Sequence, residues 1–221
     1  MKEFIDDLED YIKKKQHFDL LKNEICCGNC FQNSDLYNYE KKLVEKIRQG
    51  NYKNTKERGD ILEDLLKSIF QRISLVNSLS VTNRDTSLGQ IDLILTPLDN
   101  TLFDIWGLVA DYPEGIIGEC KNYQDSVGRE EIEKFCWRVS KGQQLGFFVA
   151  TKYTKGACDE IGWINKCKQL ILVKNSGVYI VPITLEMVEC VISQNMNFCY
   201  FIEWSIKLSK NMAITNYLKK N

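Results

Sequence analysis

The chain has 221 residues, 44% apolar and 11% aromatic, which is the composition of a globular protein with room for one sizeable α/β domain and an appendage. A formal net charge of −1 excludes a global basic field, so any contact with nucleic acid must come from a local face. The single histidine, His17, argues against hydrolysis through a histidine base and against metal sites built on several histidines, leaving carboxylates and lysine to carry any chemistry.

No apolar run reaches the ~20 residues of a membrane span, and the amphipathic, acidic N-terminal stretch lacks the apolar core of a signal peptide. The expected location is cytoplasmic, with no membrane partner. Nine scattered cysteines, mostly in apolar contexts, read as buried small hydrophobes in a reducing compartment.

Residues 3–25 carry apolar positions at helical spacing, and Cys26-Cys-Gly-Asn-Cys30 then breaks the pattern. Cys27 and Cys30 have the spacing of half a zinc site, but no second pair follows, and a cysteine-containing turn is the reading preferred over zinc. Residues 39–58 form a polar, mostly helical connector with seven Lys/Arg against three Glu, a local charge of +4. It reads equally as a solvated helix face or as a strip that lies on phosphates. Residues 1–57 are thus expected to form a helical extension.

Residues 59–74 predict an amphipathic helix with Ile61, Leu62, Leu65, Leu66, Ile69 and Phe70 inward, capped by Asp60 or Thr55. Glu63 lies at the edge of that apolar face. Strands are expected at Leu79–Thr82 and Gln90–Thr96, joined by a turn; Gln90, Asp92 and Ile94 would share one face, and Ile91, Leu93 and Leu95 the other. Residues 97–115 are too apolar for a plain solvent loop and are a candidate subunit interface. The strand at 116–121 places Glu119 and Lys121 on one side, with Gly118 and Cys120 on the other. A helix at 129–141, a near-continuous apolar strand at 145–151, a helix at 155–166 and a strand at Gln169–Val173 follow, a run that predicts parallel strands with right-handed crossovers. Tyr179–Pro182 and a helix near 184–194 come next, and the end of the chain from Lys207 has lysines and no acidic residue.

Charges fixed two residues apart in an apolar strand must be paired or bind a metal. A simple ion-pair cluster of Asp92, Glu119 and Lys121 leaves an excess negative charge, which Glu63 worsens, so a cation or raised carboxyl pKa values are expected. Another Glu-x-Lys, Glu40-Lys41-Lys42, lies in a predicted helix, where its charges diverge.

Three stretches together resemble the PD-(D/E)xK nuclease superfamily, particularly its Mrr-like restriction endonucleases: Arg58-Gly-Asp-Ile-Leu-Glu-Asp-Leu-Leu66, Leu88-Gly-Gln-Ile-Asp-Leu-Ile94 and Gly118-Glu-Cys-Lys-Asn122. The resemblance covers about residues 58–175 of a domain expected over 58–221, and Ile91 stands where the named signature has proline. It implies a restriction-endonuclease-like three-layer α/β core with a central mixed sheet. It further implies a DNA-cleaving phosphodiesterase, in restriction or phage defence, acting as a homodimer or larger assembly. In that pattern Asp92 and Glu119 bind Mg²⁺ (or Mn²⁺) with the Cys120 backbone carbonyl, Lys121 orients or helps deprotonate the attacking water, and Glu63 positions metal or lysine. Gln90 contacts water, substrate or Lys121. The alternative is a non-catalytic nucleic-acid-binding or assembly module that keeps the fold.

Overall fold

The computed structural model describes residues 34–71, 76–80, 85–86, 89–97, 106, 116–123, 125–142, 145–152, 179–193, 199 and 201–206. The expected N-terminal helix, the Cys26–Cys30 turn, the helix at 155–166, the strand at 169–173, the lysine-bearing end and all of the 97–115 connection except Pro97 and Trp106 lie outside them.

Among the described residues two helices come first, α1 (Ser34–Gln49) and α2 (Thr55–Gln71). The expected polar connector is therefore the second half of α1, a short turn and the start of α2. Gly50 ends α1 with a φ of 67°, the left-handed conformation that glycine adopts without a Cβ penalty, and its N–H donates to the carbonyls of Lys46 and Ile47. The cap of α2 is neither Asp60 nor Thr55: Asn54 Oδ1 accepts the N–H of Glu57 at 2.8 Å. Helix α2 thus begins four residues earlier than its apolar pattern indicates, because its first turn is polar.

Five strands make one mixed sheet in the order β1 (Val76–Ser80), β4 (Leu93–Pro97), β5 (Ile116–Lys121), β6 (Leu145–Ala150), β7 (Tyr179–Thr184). The β1–β4 and β4–β5 pairs are antiparallel, whereas β5–β6 and β6–β7 are parallel. A separate two-residue hairpin, β2 (Asp85–Thr86) with β3 (Gly89–Gln90), stands apart from it. The third parallel strand among the described residues is β7, followed directly by helix α4 (Leu185–Ser193), whose first turn is capped by Thr184 Oγ1.

The faces of the sheet follow strand alternation. Leu145, Phe147 and Val149 point to a core shared with α2 and α4 and with the helical residues 201–206, while Phe148 and Ala150 meet helix α3 (Arg129–Gly142) through Ile132, Phe135 and Val139. The result is helix layers on both faces of the sheet. Gly146 lets α3 come close: a Cβ there would stand 2.6 Å from Val139 Cγ2 and 2.8 Å from Phe135 Cζ. Trp106, from the apolar connection, is 1% exposed and turned into its own chain's core, where its Nε1 donates to the Cys199 carbonyl at 3.3 Å. Its apolar side chain is satisfied within the chain rather than at an interface. The described cysteines are free thiols; Cys136, Cys190 and Cys199 are buried. No helix among the described residues is long and apolar enough to cross a membrane.

Candidate metal and phosphate site at the end of β5

The predicted strand from Gln90 to Thr96 is broken. β3 ends at Gln90, Ile91 and Asp92 form a bend, and β4 starts at Leu93. Ile91 therefore joins Ile94 on the α3 side, while Leu93 and Leu95 face α2, so the expected face shared by Ile91, Leu93 and Leu95 does not exist. The bend has a physical function. With Leu93 paired to Gly118, β4 stops just where β5 continues, and Asp92 Oδ2 accepts the Cys120 N–H at 2.8 Å in place of a strand. In an extended strand the N–H and C=O of one residue face the same neighbour, so the Cys120 carbonyl is directed to this edge too. Gln90 pairs with Asp85 in the small hairpin, and its side chain is outside the described set.

Glu119 and Lys121 share a side, as expected, and are joined by an ion pair at 2.5 Å. Sequence reasoning missed the second partner. Arg138 on α3 donates from Nη1 to Glu119 Oε2 at 2.6 Å. Its position, three residues after Phe135 on the inner face of α3, is the signal that marks it as turned toward the sheet. Arg138 corrects the expected charge balance, because Asp92 and Glu119 now face Lys121 and Arg138, and the excess negative charge resides on Glu63.

Glu63 answers that excess as a buried acid does. Burial, then the charges of Asp92, Asp60 and Asp64, push its carboxyl from the ordinary 4.5 up to about 7. Its Oε2 is buried without a hydrogen-bond partner. Asp92 is also raised, by burial first and by Glu119 second, against the Cys120 N–H that lowers it. Burial pulls the Lys121 amine down, but Glu119 and Asp92 outweigh it and hold the ammonium above its usual range. In this metal-free arrangement the Lys121 amine is therefore favoured as its ammonium form. Burial, then the charge of Asp92, lifts the Cys120 thiol well above its ordinary value and so disfavours the thiolate.

The structure therefore brings Glu63, Asp92, Glu119, Lys121 and Cys120 to the end of β5. The carboxylates approach from different layers, Glu63 from α2 and Glu119 from the α3 side. Among the described residues no three His, Cys, Asp or Glu side chains stand ready as a cation site. The donor chemistry nevertheless suits a hard divalent cation: carboxylate oxygens, one orphaned, with raised pKa values that a cation would relieve. The decoy behaves as predicted, since Glu40 is buried and accepts from Ser68 Oγ at 3.0 Å while Lys42 is exposed. Two cations of the basic connector are paired, Lys46 with Glu57 and Arg48 with Glu186 and Glu189.

No protein-family model matches this chain, and no significant match was found among curated proteins or solved structures.

Proposed function

We propose that the chain is a Mg²⁺-dependent endonuclease that hydrolyses phosphodiester bonds of DNA, of the PD-(D/E)xK kind its motifs resemble. The observation that supports this best is the uncompensated carboxylate: Glu63 Oε2 is buried, unpartnered and titrates near neutrality beside Asp92. A purely structural ion-pair cluster has no use for that group, since Asp92 and Glu119 already balance Lys121 and Arg138.

In this reading Asp92, Glu119 and the Cys120 carbonyl would hold the cation, which when bound would supply water activation and charge compensation at the phosphate. Glu63, whose buried Oε2 has no partner and whose carboxyl is raised to about 7, would hold or release a proton beside that cation. Lys121, held as an ammonium, donates to the phosphate oxygen on which negative charge develops. Arg138 keeps Glu119 oriented from α3. In this reading the biological role would be restriction or phage defence, with a second copy needed for cutting both strands.

One observation favours the second reading, a non-catalytic nucleic-acid-binding or assembly module. Both carboxylate oxygens of Glu119 are already engaged, by Lys121 and Arg138. Calorimetric titration with Mg²⁺ and Mn²⁺, paired with cleavage assays on supercoiled, linear, branched and methylated DNA, separates the two. The nuclease reading requires a stoichiometric metal heat and metal-dependent cutting that Asp92→Ala and Lys121→Ala both abolish. A folded protein that binds DNA but neither metal nor cuts belongs to the second reading.

A further inference from the structure

A cavity of about 240 Å³ opens at the carboxyl ends of the three parallel strands. Asn122 and Tyr123 line it just past β5, Thr151 and Lys152 just past β6, and Leu185 just past β7, with Arg58 and the α1–α2 turn closing the other side. In open α/β sheets this end of the strands is where ligands bind. Among the described residues no carboxylate lines the cavity, whereas Arg48, Arg58 and Lys152 do.

The three cations are not equivalent. Arg48 is spent: its Nε donates to Glu189 Oε1 at 2.6 Å, and its Nη2 also meets Glu186. Arg58 is different. Its Nε is buried and has no hydrogen-bond partner, and among the described residues its guanidinium makes no ion pair. Lys152 is exposed and likewise makes no ion pair among them. A buried N–H of a charged group left without an acceptor is costly, and an anion in the cavity satisfies it.

The rest of the cavity is a frame that holds Arg58 in place. Asn122 Nδ2 donates to the Arg58 carbonyl at 2.6 Å and to the Tyr52 hydroxyl at 3.3 Å, and that hydroxyl donates to the Ile47 carbonyl at 3.0 Å. Thr151 ties β6 to β5 through its N–H on the Lys121 carbonyl and its Oγ1 on the Tyr123 carbonyl, both at 3.1 Å. The strand ends and the first turn of α2 are thus tied together at the Arg58 backbone, whose side chain carries an Nε without an acceptor. Tyr123, 40% exposed, adds an aromatic wall on which a base can stack.

We propose that this cavity is a phosphate-binding site, taking the phosphate group of a nucleotide or of an oligonucleotide chain between Arg58 and Lys152. The volume suits a phosphate with its sugar rather than a whole dinucleotide. Occupancy of the cavity does not depend on the nuclease reading. If both hold, the chain grips a phosphate other than the one being cleaved, since Arg58 and Glu63 lie five residues apart on α2, roughly 7.5 Å of helix rise.

The test is calorimetric titration of the full chain, without divalent metal, with inorganic phosphate, a nucleoside 5′-monophosphate, and one single-stranded oligonucleotide carrying either a 5′-phosphate or a 5′-hydroxyl. Phosphate and the monophosphate should bind the wild type, and Arg58→Gln should weaken both at least tenfold. The exposed Lys152→Gln, which disturbs no contact in the frame, should weaken both about threefold to tenfold. Tighter binding of the 5′-phosphorylated oligonucleotide assigns the site to chain ends; equal binding of both, lost in Arg58→Gln, assigns it to backbone phosphates. Arg58→Lys, which keeps charge but loses the fork, should be intermediate and serves if the Gln variant does not fold. Absence of phosphate binding at millimolar concentration, or equal binding by wild type, Arg58→Lys and Lys152→Gln, overturns the proposal. Asp92→Asn should leave phosphate binding intact, so failure of this site and failure of the nuclease reading are told apart.

Discussion

Arg138 grips Glu119 on one face of the sheet, from helix α3 to strand β5, with Nη1 2.6 Å from Oε2. Lys121 takes the other oxygen, so Glu119, 6% exposed, is fully paired in the absence of metal. If Glu119 must turn toward a cation, Arg138 competes for it. Arg138→Gln should lower metal-free stability by about 2 kcal/mol, the worth of a charge-assisted hydrogen bond, and tighten Mg²⁺ binding several-fold. Denaturant melts with and without Mg²⁺ check both; unchanged affinity would assign Glu119 a purely structural part.

Asp92 separates charge from hydrogen bonding. Its Oδ2 accepts the Cys120 N–H, and its carboxylate is disfavoured by burial and by Glu119. Asp92→Asn keeps an acceptor and removes the charge, so stability near neutral pH should be equal or higher while metal binding and cleavage are lost. Asp92→Ala orphans the N–H as well and should cost roughly 1–3 kcal/mol. Thermal melts of the pair alongside cleavage assays read both effects.

Glu63 predicts a pH dependence. It holds its proton to about 7 in the fold and to about 4.5 when unfolded. Between those values the folded state binds more protons, so this residue's contribution to stability is present below 4.5 and falls as pH rises through 7. Glu63→Gln should flatten that fall, and Mg²⁺ should stabilise the wild type more at pH 8 than at pH 5. Melts across that range, with and without Mg²⁺, give the answer; identical profiles for wild type and variant would contradict it.

Gly146 is a packing constraint. A methyl group there meets Val139 and Phe135 at less than 3.0 Å, so α3 must shift. Gly146→Ala should destabilise by roughly 1–3 kcal/mol, and because α3 carries Arg138 it should also loosen the Glu119 contact. Denaturant unfolding measures the first effect, and Mg²⁺ affinity the second.

The apolar periodicity of α2, the alternation of β5 and the uninterrupted run of β6 made the layers of the core legible in the sequence. The side on which Glu119 and Lys121 lie followed from the two-residue repeat of a strand alone. The break at Asp92 did not, because alternation says nothing of a bend stabilised by a side chain that replaces a strand's acceptor. Arg138 was passed over for a different reason: its spacing from Phe135 turns it toward the sheet, but the carboxylate it meets there depends on which strand lies opposite. Asn54 was passed over because polar first turns carry no periodic signal.

Cleavage of plasmid DNA in Mg²⁺ by wild type and Asp92→Asn, with the fold of both verified by melting, tests the central claim most directly. The metal-site account predicts metal-dependent cutting by the wild type and none by the folded variant. A wild type that cuts no form of DNA with Mg²⁺ or Mn²⁺ and gives no metal-binding heat, or an Asp92→Asn that cuts equally well, contradicts it.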